Sequence, residues 1–139
     1  VKLVIDASVA LKWFLPHRPD EQFVEVAQQV ADIIGKPESV LYAPPHWKLE
    51  ILAVLARTEP QMADEALEML DDMAARIVTT STSLEIGIRL ATQLRHHLFD
   101  TLYHAVAMEM EATLVTADDA YYEKARPLGN IMRLANYPA

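Results

Sequence analysis

The sequence predicts an α/β protein, a largely parallel sheet with helices on both faces. Three observations lead there. Short apolar runs, as at residues 2–6 and 113–118, alternate with longer stretches of helical period. Those stretches are long enough to serve as the helical crossovers that parallel strands require. Two of the runs also end in a carboxylate, Asp6 and Asp118, and in such sheets ligands bind beyond the carboxyl ends of the strands.

Taken in order, the first strand is expected over 2–6, followed by a turn through Pro16 and Pro19. A helix is expected from about 20 to 34. Asp20 would be its N-cap, Phe23, Val26, Val30 and Ile33 its apolar face, and Gly35 its stop. A short strand over 40–43 runs into Pro44-Pro45 and a helix carrying Glu50. Pro60 begins the next helix, where Met62, Ala66, Met69, Leu70, Met73 and Ile77 recur at helical spacing and place the methionines in the core. Residues 77–80 read as a strand, and Thr82 with Glu85 as a capping box opening a helix through Leu94. A helix from Asp100 to about Glu111, a strand over 113–117, a helix near 119–125 and a last strand over 131–134 complete the series. No internal repeat or Gly/Ser linker interrupts it, so a single domain over 1–139 is expected.

Composition narrows the function. At 139 residues and 52% hydrophobic, the chain is long and apolar enough to bury a core, which argues against disorder. Cysteine is absent, which removes disulfides and thiolate metal sites and fits a reducing, cytoplasmic setting. No apolar run reaches the ~20 residues of a membrane span, and the N-terminus enters directly into a strand-like run, so neither a membrane location nor a signal peptide is expected. The formal charge is −8, from 20 acidic and 12 basic residues. That opposes nucleic-acid binding, which gains from neutralising phosphates. Bound cations would offset part of it, and net charge does not fix a local patch.

Four acids carry the chemistry. Asp6 closes a strand that reads as buried on both faces; its bland alternative is a turn or cap residue. Ser8, two residues on, is placed to orient it or to steady the turn. Glu50 sits among Trp47, Leu49, Ile51, Leu52, Val54 and Leu55, where a carboxylate is costly unless paired or metal-bound. The competing reading is a solvated helix face beside His46. Asp100 opens a helix and would serve as its N-cap, as a ligand, or as both. Asp118 ends a strand two residues after Thr116 and is the better ligand candidate, with Asp119 as the cap. If the four converge they cannot all stay ionised without a counter-charge. A hard divalent cation, Mg²⁺ or Mn²⁺, supplies one, and such sites suit metal-assisted phosphodiester hydrolysis. His96 and His97 end a helix, where the dipole explains them more cheaply than zinc ligation. A Gly-x-Ser-x-Gly elbow, a catalytic Cys and a phosphate-cradling Gly loop are all missing.

Together these segments resemble the PIN-domain ribonucleases, specifically the toxin half of VapBC toxin–antitoxin modules. The run Ile5-Asp6-Ala7-Ser8-Val9-Ala10-Leu11-Lys12-Trp13-Phe14 looks like that family's first acidic motif. Pro44-Pro45 before the Glu50 helix resembles the second, Asp100-Thr101-Leu102-Tyr103-His104-Ala105-Val106-Ala107 the third, and Thr116-Ala117-Asp118 the fourth. Order and spacing fit across essentially the whole chain; Asp119 is an extra acid at the fourth motif. The resemblance implies a compact three-layer α/β/α fold and a metal-dependent endoribonuclease. It also implies a homodimer and an antitoxin whose basic or aromatic segment enters the acidic cleft. On that reading Asp6, Glu50, Asp100 and Asp118 hold one or two Mg²⁺ or Mn²⁺ ions, and a water so activated attacks the phosphodiester. Ser8 and Thr116 orient ligands or water, while Lys12, Arg57 and Arg95 grip the RNA backbone.

Rival readings come from other classes. An aspartate-nucleophile phosphatase would use Asp6 but wants a second Asp two residues on, where Ser8 stands. A phospho-acceptor receiver domain wants a Lys after its last strand, and none is evident. The third rival is a PIN-like domain that binds without catalysis.

Overall fold

The computed structural model describes residues 1–18 and 22–137. In chain order its strands are β1 (Lys2–Ile5), β2 (Val40–Ala43), β3 (Arg76–Ile77), β4 (Thr113–Thr116) and β5 (Ile131–Arg133). They form one sheet in the order β3-β2-β1-β4-β5, with every pairing parallel. The three central strands are nearly continuous apolar runs because both of their faces are covered; Val4, Ile5, Leu41, Leu114 and Val115 are all buried. The edge strands are two and three residues long, short enough to offer little template for further pairing.

Among the described residues, seven helices cover the sheet in a three-layer α/β/α arrangement: α1 (Ala7–Phe14), α2 (Val24–Ile34), α3 (Trp47–Thr58), α4 (Ala63–Asp72), α5 (Ser81–Leu94), α6 (Leu98–Met110) and α7 (Asp119–Ala125). Helix α6 packs against β1, β2 and β4. Seven consecutive residues, Thr101 to Ala107, are buried there, so the helix is apolar nearly all round rather than along one stripe. It also packs closely on α5. Thr101 Oγ1 donates to the Gly87 carbonyl at 2.8 Å, and a Cβ at Gly87 would stand 2.9 Å from Leu102 Cδ2.

Several expectations are corrected. Helix α1 was not foreseen: it follows β1 after one residue, and with six of its eight residues buried it shows no clear polar face to betray its period. Helix α2 starts at Val24, and the Asp20 cap falls outside the described residues. Its buried face is Ala27, Val30 and Ile34, while Phe23 sits exposed before it in a left-handed conformation. Pro60 opens a 3₁₀ turn (Pro60–Met62) before α4, which buries Ala66 and Leu70. Met69 is exposed, and Met62 and Met73 are only half-buried, so the methionine stripe is not the core. Ile77 belongs to β3, not to that helix. The strand expected over 77–80 stops at Ile77 because Thr80 caps α5, accepting from the Ser83 N–H at 3.1 Å. The capping residue is thus Thr80, not Thr82. Helix α6 begins at Leu98, two residues ahead of expectation, with His97 at its N-cap position.

Candidate functional site

From β1 the chain crosses to β2 on one side, while β4 lies on the other. The carboxyl ends of β1 and β4 therefore flank the point where strand order reverses, which is where a parallel sheet leaves a crevice. Asp6 directly follows β1 and Asp118 lies two residues beyond β4. Asp100 reaches the same crevice from the first turn of α6, and these three acids line one small cavity with Leu114, Thr116 and Tyr121. Glu50, in the first turn of α3, borders it and feels the charges of Asp6 and Asp100. The structure thus gathers all four sequence-predicted acids.

Asp6 is held by two hydroxyls on one oxygen. Ser8 and Thr116 both donate to its Oδ2, Thr116 at 3.1 Å. The same hydroxyls accept in turn: Ser8 Oγ from the Ala117 N–H at 3.1 Å and Thr116 Oγ1 from the Asp118 N–H at 3.0 Å. This latch ties the β1–α1 junction to the β4–α7 junction. Burial nevertheless pushes the Asp6 carboxyl up to about 6, against the two hydroxyl donors and with Asp100 and Asp118 adding to it.

Burial also raises Glu50 to about 7, reinforced by Asp6 and Asp100. The nearest basic group does not neutralise it. His46 stands 3.7 Å away, but its Nε2 lies 2.7 Å from the Phe99 carbonyl, so Nε2 carries the proton and donates. Burial lowers the affinity of His46 for a second proton, and the ring is wedged between Phe99 and Tyr103. The Tyr103 hydroxyl is buried beside Glu50 without a well-formed hydrogen bond.

Asp118 has two roles in the geometry. It is the N-cap of α7, Oδ1 accepting from the Tyr121 N–H at 3.1 Å, and it faces the acids. Asp119, expected as the cap, is exposed and paired with Arg133 at 3.1 Å. Asp100 is the third residue of α6 and not its cap.

One residue was missed. His96 Nε2 lies 3.0 Å from Asp100 Oδ2, and one ligand atom each from His96, Asp100 and Asp118 lie within 4.8 Å of one another. The dipole explanation does not suffice for it, since α5 already ends at Leu94. No local signal marked it, because His96 lies between α5 and α6 and reaches Asp100 only through the turn that joins them. His97 is exposed at the start of α6. Of the cations expected to grip RNA, Arg57 is exposed in the last turn of α3 and Arg95 is exposed at the end of α5. Lys12 is buried, lining a hollow with Asp119 and Arg133, so it is not on an open rim.

These groups fit a divalent cation. Four carboxylates are hard oxygen donors of the kind that Mg²⁺ and Mn²⁺ accept, and His96, with Nε2 3.0 Å from Asp100 Oδ2, steadies one of them. Two of the carboxylates are raised well above their ordinary values, first by burial and further by the charge of neighbouring acids, and a bound cation would offset that charge.

Comparison with known proteins gives the family and the fold. The sequence profile of the PIN domain matches residues 3–127. The chain belongs to the PIN-domain family. Solved structures share this PIN fold at low identity. VapBC-1 from nontypeable Haemophilus influenzae superposes with a TM-score of 0.69 at 13% identity, covering 98% of this chain and 100% of that one. VapBC2 from Rickettsia felis, bound to a promoter DNA fragment, gives 0.69 at 12%, covering 96% and 97%. A toxin–antitoxin complex from Klebsiella pneumoniae gives 0.69 at 13%, covering 99% of each. At such identities the likeness speaks for the fold alone. No curated protein matches the sequence.

Proposed function

We propose that this PIN domain is a divalent-cation-dependent endoribonuclease, the toxin of a toxin–antitoxin pair. The observation that carries the proposal is the convergence of Asp6, Glu50, Asp100 and Asp118 at the switch point of the sheet, two of them with proton affinities raised toward neutrality. Burial raises both, and the neighbouring acids add to it, so the crevice would be stabilised by positive charge.

Asp6, Asp100 and Asp118, with Glu50 at the border, would hold Mg²⁺ or Mn²⁺. Bound there, the cation supplies Lewis-acid polarisation of the phosphodiester and lowers the proton affinity of a water. The chain's own residues do the rest. Ser8 and Thr116 fix the rotation of Asp6 through its Oδ2. His96 fixes Asp100 through Oδ2. Glu50, whose proton affinity burial raises in the absence of a cation, would be the group at the border of the crevice to take up the proton that an attacking water gives up. Arg57 and Arg95 are exposed cations available to an RNA backbone.

The antitoxin partner is supported by the fold shared with the Haemophilus and Klebsiella complexes. Exposed apolar residues on α3, α5 and α6 (Leu49, Leu84, Ile88, Leu98 and Phe99) support a protein partner or a second copy of this chain.

The test is incubation of a mixed cellular RNA pool with the protein in Mg²⁺, in Mn²⁺ and in EDTA, beside Asp6→Asn. Discrete fragments that need both cation and Asp6 are expected. Intact RNA under every cation, from folded protein that binds the cation, would leave a PIN fold used for binding alone.

A further inference from the structure

An open hollow of about 520 Å³ lies beside the acid cluster, lined by Ala91, Arg95, His96, His97 and Lys124. Apart from the alanine, its walls are cations and imidazoles, in a chain whose acids outnumber its bases by 20 to 12. The groups are tied together. Lys124 Nζ lies 3.1 Å from His96 Nδ1 and donates to the Arg95 carbonyl at 3.3 Å. An ammonium has only protons to offer, so Nδ1 accepts and Nε2 carries the ring proton that points to Asp100 Oδ2, 3.0 Å away. The ring also stacks edge-on against Tyr121, at 4.9 Å between centroids. One imidazole therefore separates a basic hollow from the acids. Arg95 closes α5 in a left-handed conformation, φ 52°, that glycine adopts more easily.

We infer that this hollow seats a backbone phosphate of the single-stranded substrate next to the scissile bond, with Arg95 and Lys124 as the phosphate contacts and His96 as the spacer that sets its distance from Asp100. The inference rests on the nuclease reading above. Repulsion from the acids would otherwise oppose a polyanion in this crevice. A second phosphate held on the basic side anchors the strand and lets the cation compensate the scissile one alone.

The test reads binding apart from hydrolysis. The probe is a fluorescein-labelled single-stranded oligodeoxythymidylate, which carries the same phosphodiester backbone without the ribose 2′-hydroxyl. Fluorescence anisotropy is followed in Mg²⁺ over a range of salt, and gel electrophoresis after each titration checks that the probe is uncut. The double variant Arg95→Gln, Lys124→Gln removes both charges and keeps a hydrogen-bond donor, one bond shorter, at position 124. It is expected to bind about tenfold more weakly, with the slope of log affinity against log salt shallower by about 0.7, the share of one lost single-strand phosphate contact. Lys36→Gln is the control of matched chemistry; Lys36 lies just before β2, at the opposite end of the sheet, and a change below about twofold is expected there. Melting curves confirm that the variants are folded. Binding by the double variant equal to wild type, a loss no larger per charge than in Lys36→Gln, or no binding by the wild type would each overturn the inference. Weakened binding in the double variant, from a protein that cleaves no RNA, would keep the phosphate site and discard the nuclease reading.

Discussion

Asp6 carries opposed demands, since two hydroxyls stabilise its charge while burial and two neighbouring acids oppose it. The opposition wins, and the prediction at this scale follows from that order. Asp6→Asn keeps an acceptor for Ser8 and Thr116 but removes the charge. Cleavage should fall by at least about 100-fold if the carboxylate helps hold the cation. The same variant should be more stable than wild type in EDTA, by on the order of 1–2 kcal/mol, because a raised carboxyl is a destabilised anion. RNA cleavage and urea melts in EDTA check the two halves; lower stability in EDTA would mean that the hydroxyl latch outweighs the repulsion. His96 illustrates how site residues escape a linear reading. Its neighbour His97 looks identical in sequence, yet only His96 turns inward to Asp100.

Among the elements, α7 and the α5–α6 pair are where local rules and site chemistry meet. Asp118 both caps α7 and faces the acids, so a single substitution confounds the roles and a pair separates them. Asp118→Ser retains a capping oxygen and should cost only a few tenths of a kcal/mol, whereas Asp118→Ala should cost about 1 kcal/mol. Both should weaken Mn²⁺ binding alike, as read by calorimetry; full affinity in the Ser variant would remove Asp118 from the site. The close approach of α5 to α6 depends on Gly87, where an added Cβ would meet Leu102 at 2.9 Å. Gly87→Val should destabilise by about 1–3 kcal/mol through overpacking. Because Thr101 bonds to the Gly87 carbonyl beside Asp100, activity should fall with it; a shift in the urea midpoint without loss of cleavage would uncouple this packing from the site.

On the scale of the whole molecule, the acid cluster makes stability depend on pH and on cations. Asp6 and Glu50 bind a proton more tightly folded than unfolded, rising from 3.8 to about 6 and from 4.5 to about 7. Their contribution is therefore full below the unfolded values and is lost as pH rises through the folded ones. In EDTA the melting temperature should fall between about pH 4 and pH 7, with Asp6 accounting for on the order of 2 kcal/mol. Saturating Mn²⁺ should reverse the fall near neutrality, adding about 2.7 kcal/mol at a hundredfold excess over the dissociation constant. A cation-independent melting profile would mean that the cluster is structural. The hydrophobic core lies along the sheet, so circular dichroism below the transition should be the same with and without cation.

The sequence by itself determined the alternation of strands and helices, the parallel sheet, and which four acids to watch, because buried strands and amphipathic helices write their periods directly into the chain. It did not determine α1, whose residues are buried on nearly every side and so show no period, or the start of α6, where His97 and not Asp100 holds the N-cap position. Nor did it show that Asp118 rather than Asp119 caps α7, since adjacent acids are equivalent until the chain direction leaving β4 is known. Tertiary structure alone brought Asp6, Glu50, Asp100 and Asp118 to one crevice and chose His96 over His97 to join them. Distances across a crevice arise from how β1 and β4 pair and how α3 and α6 pack, and those are relations between segments that no single segment carries.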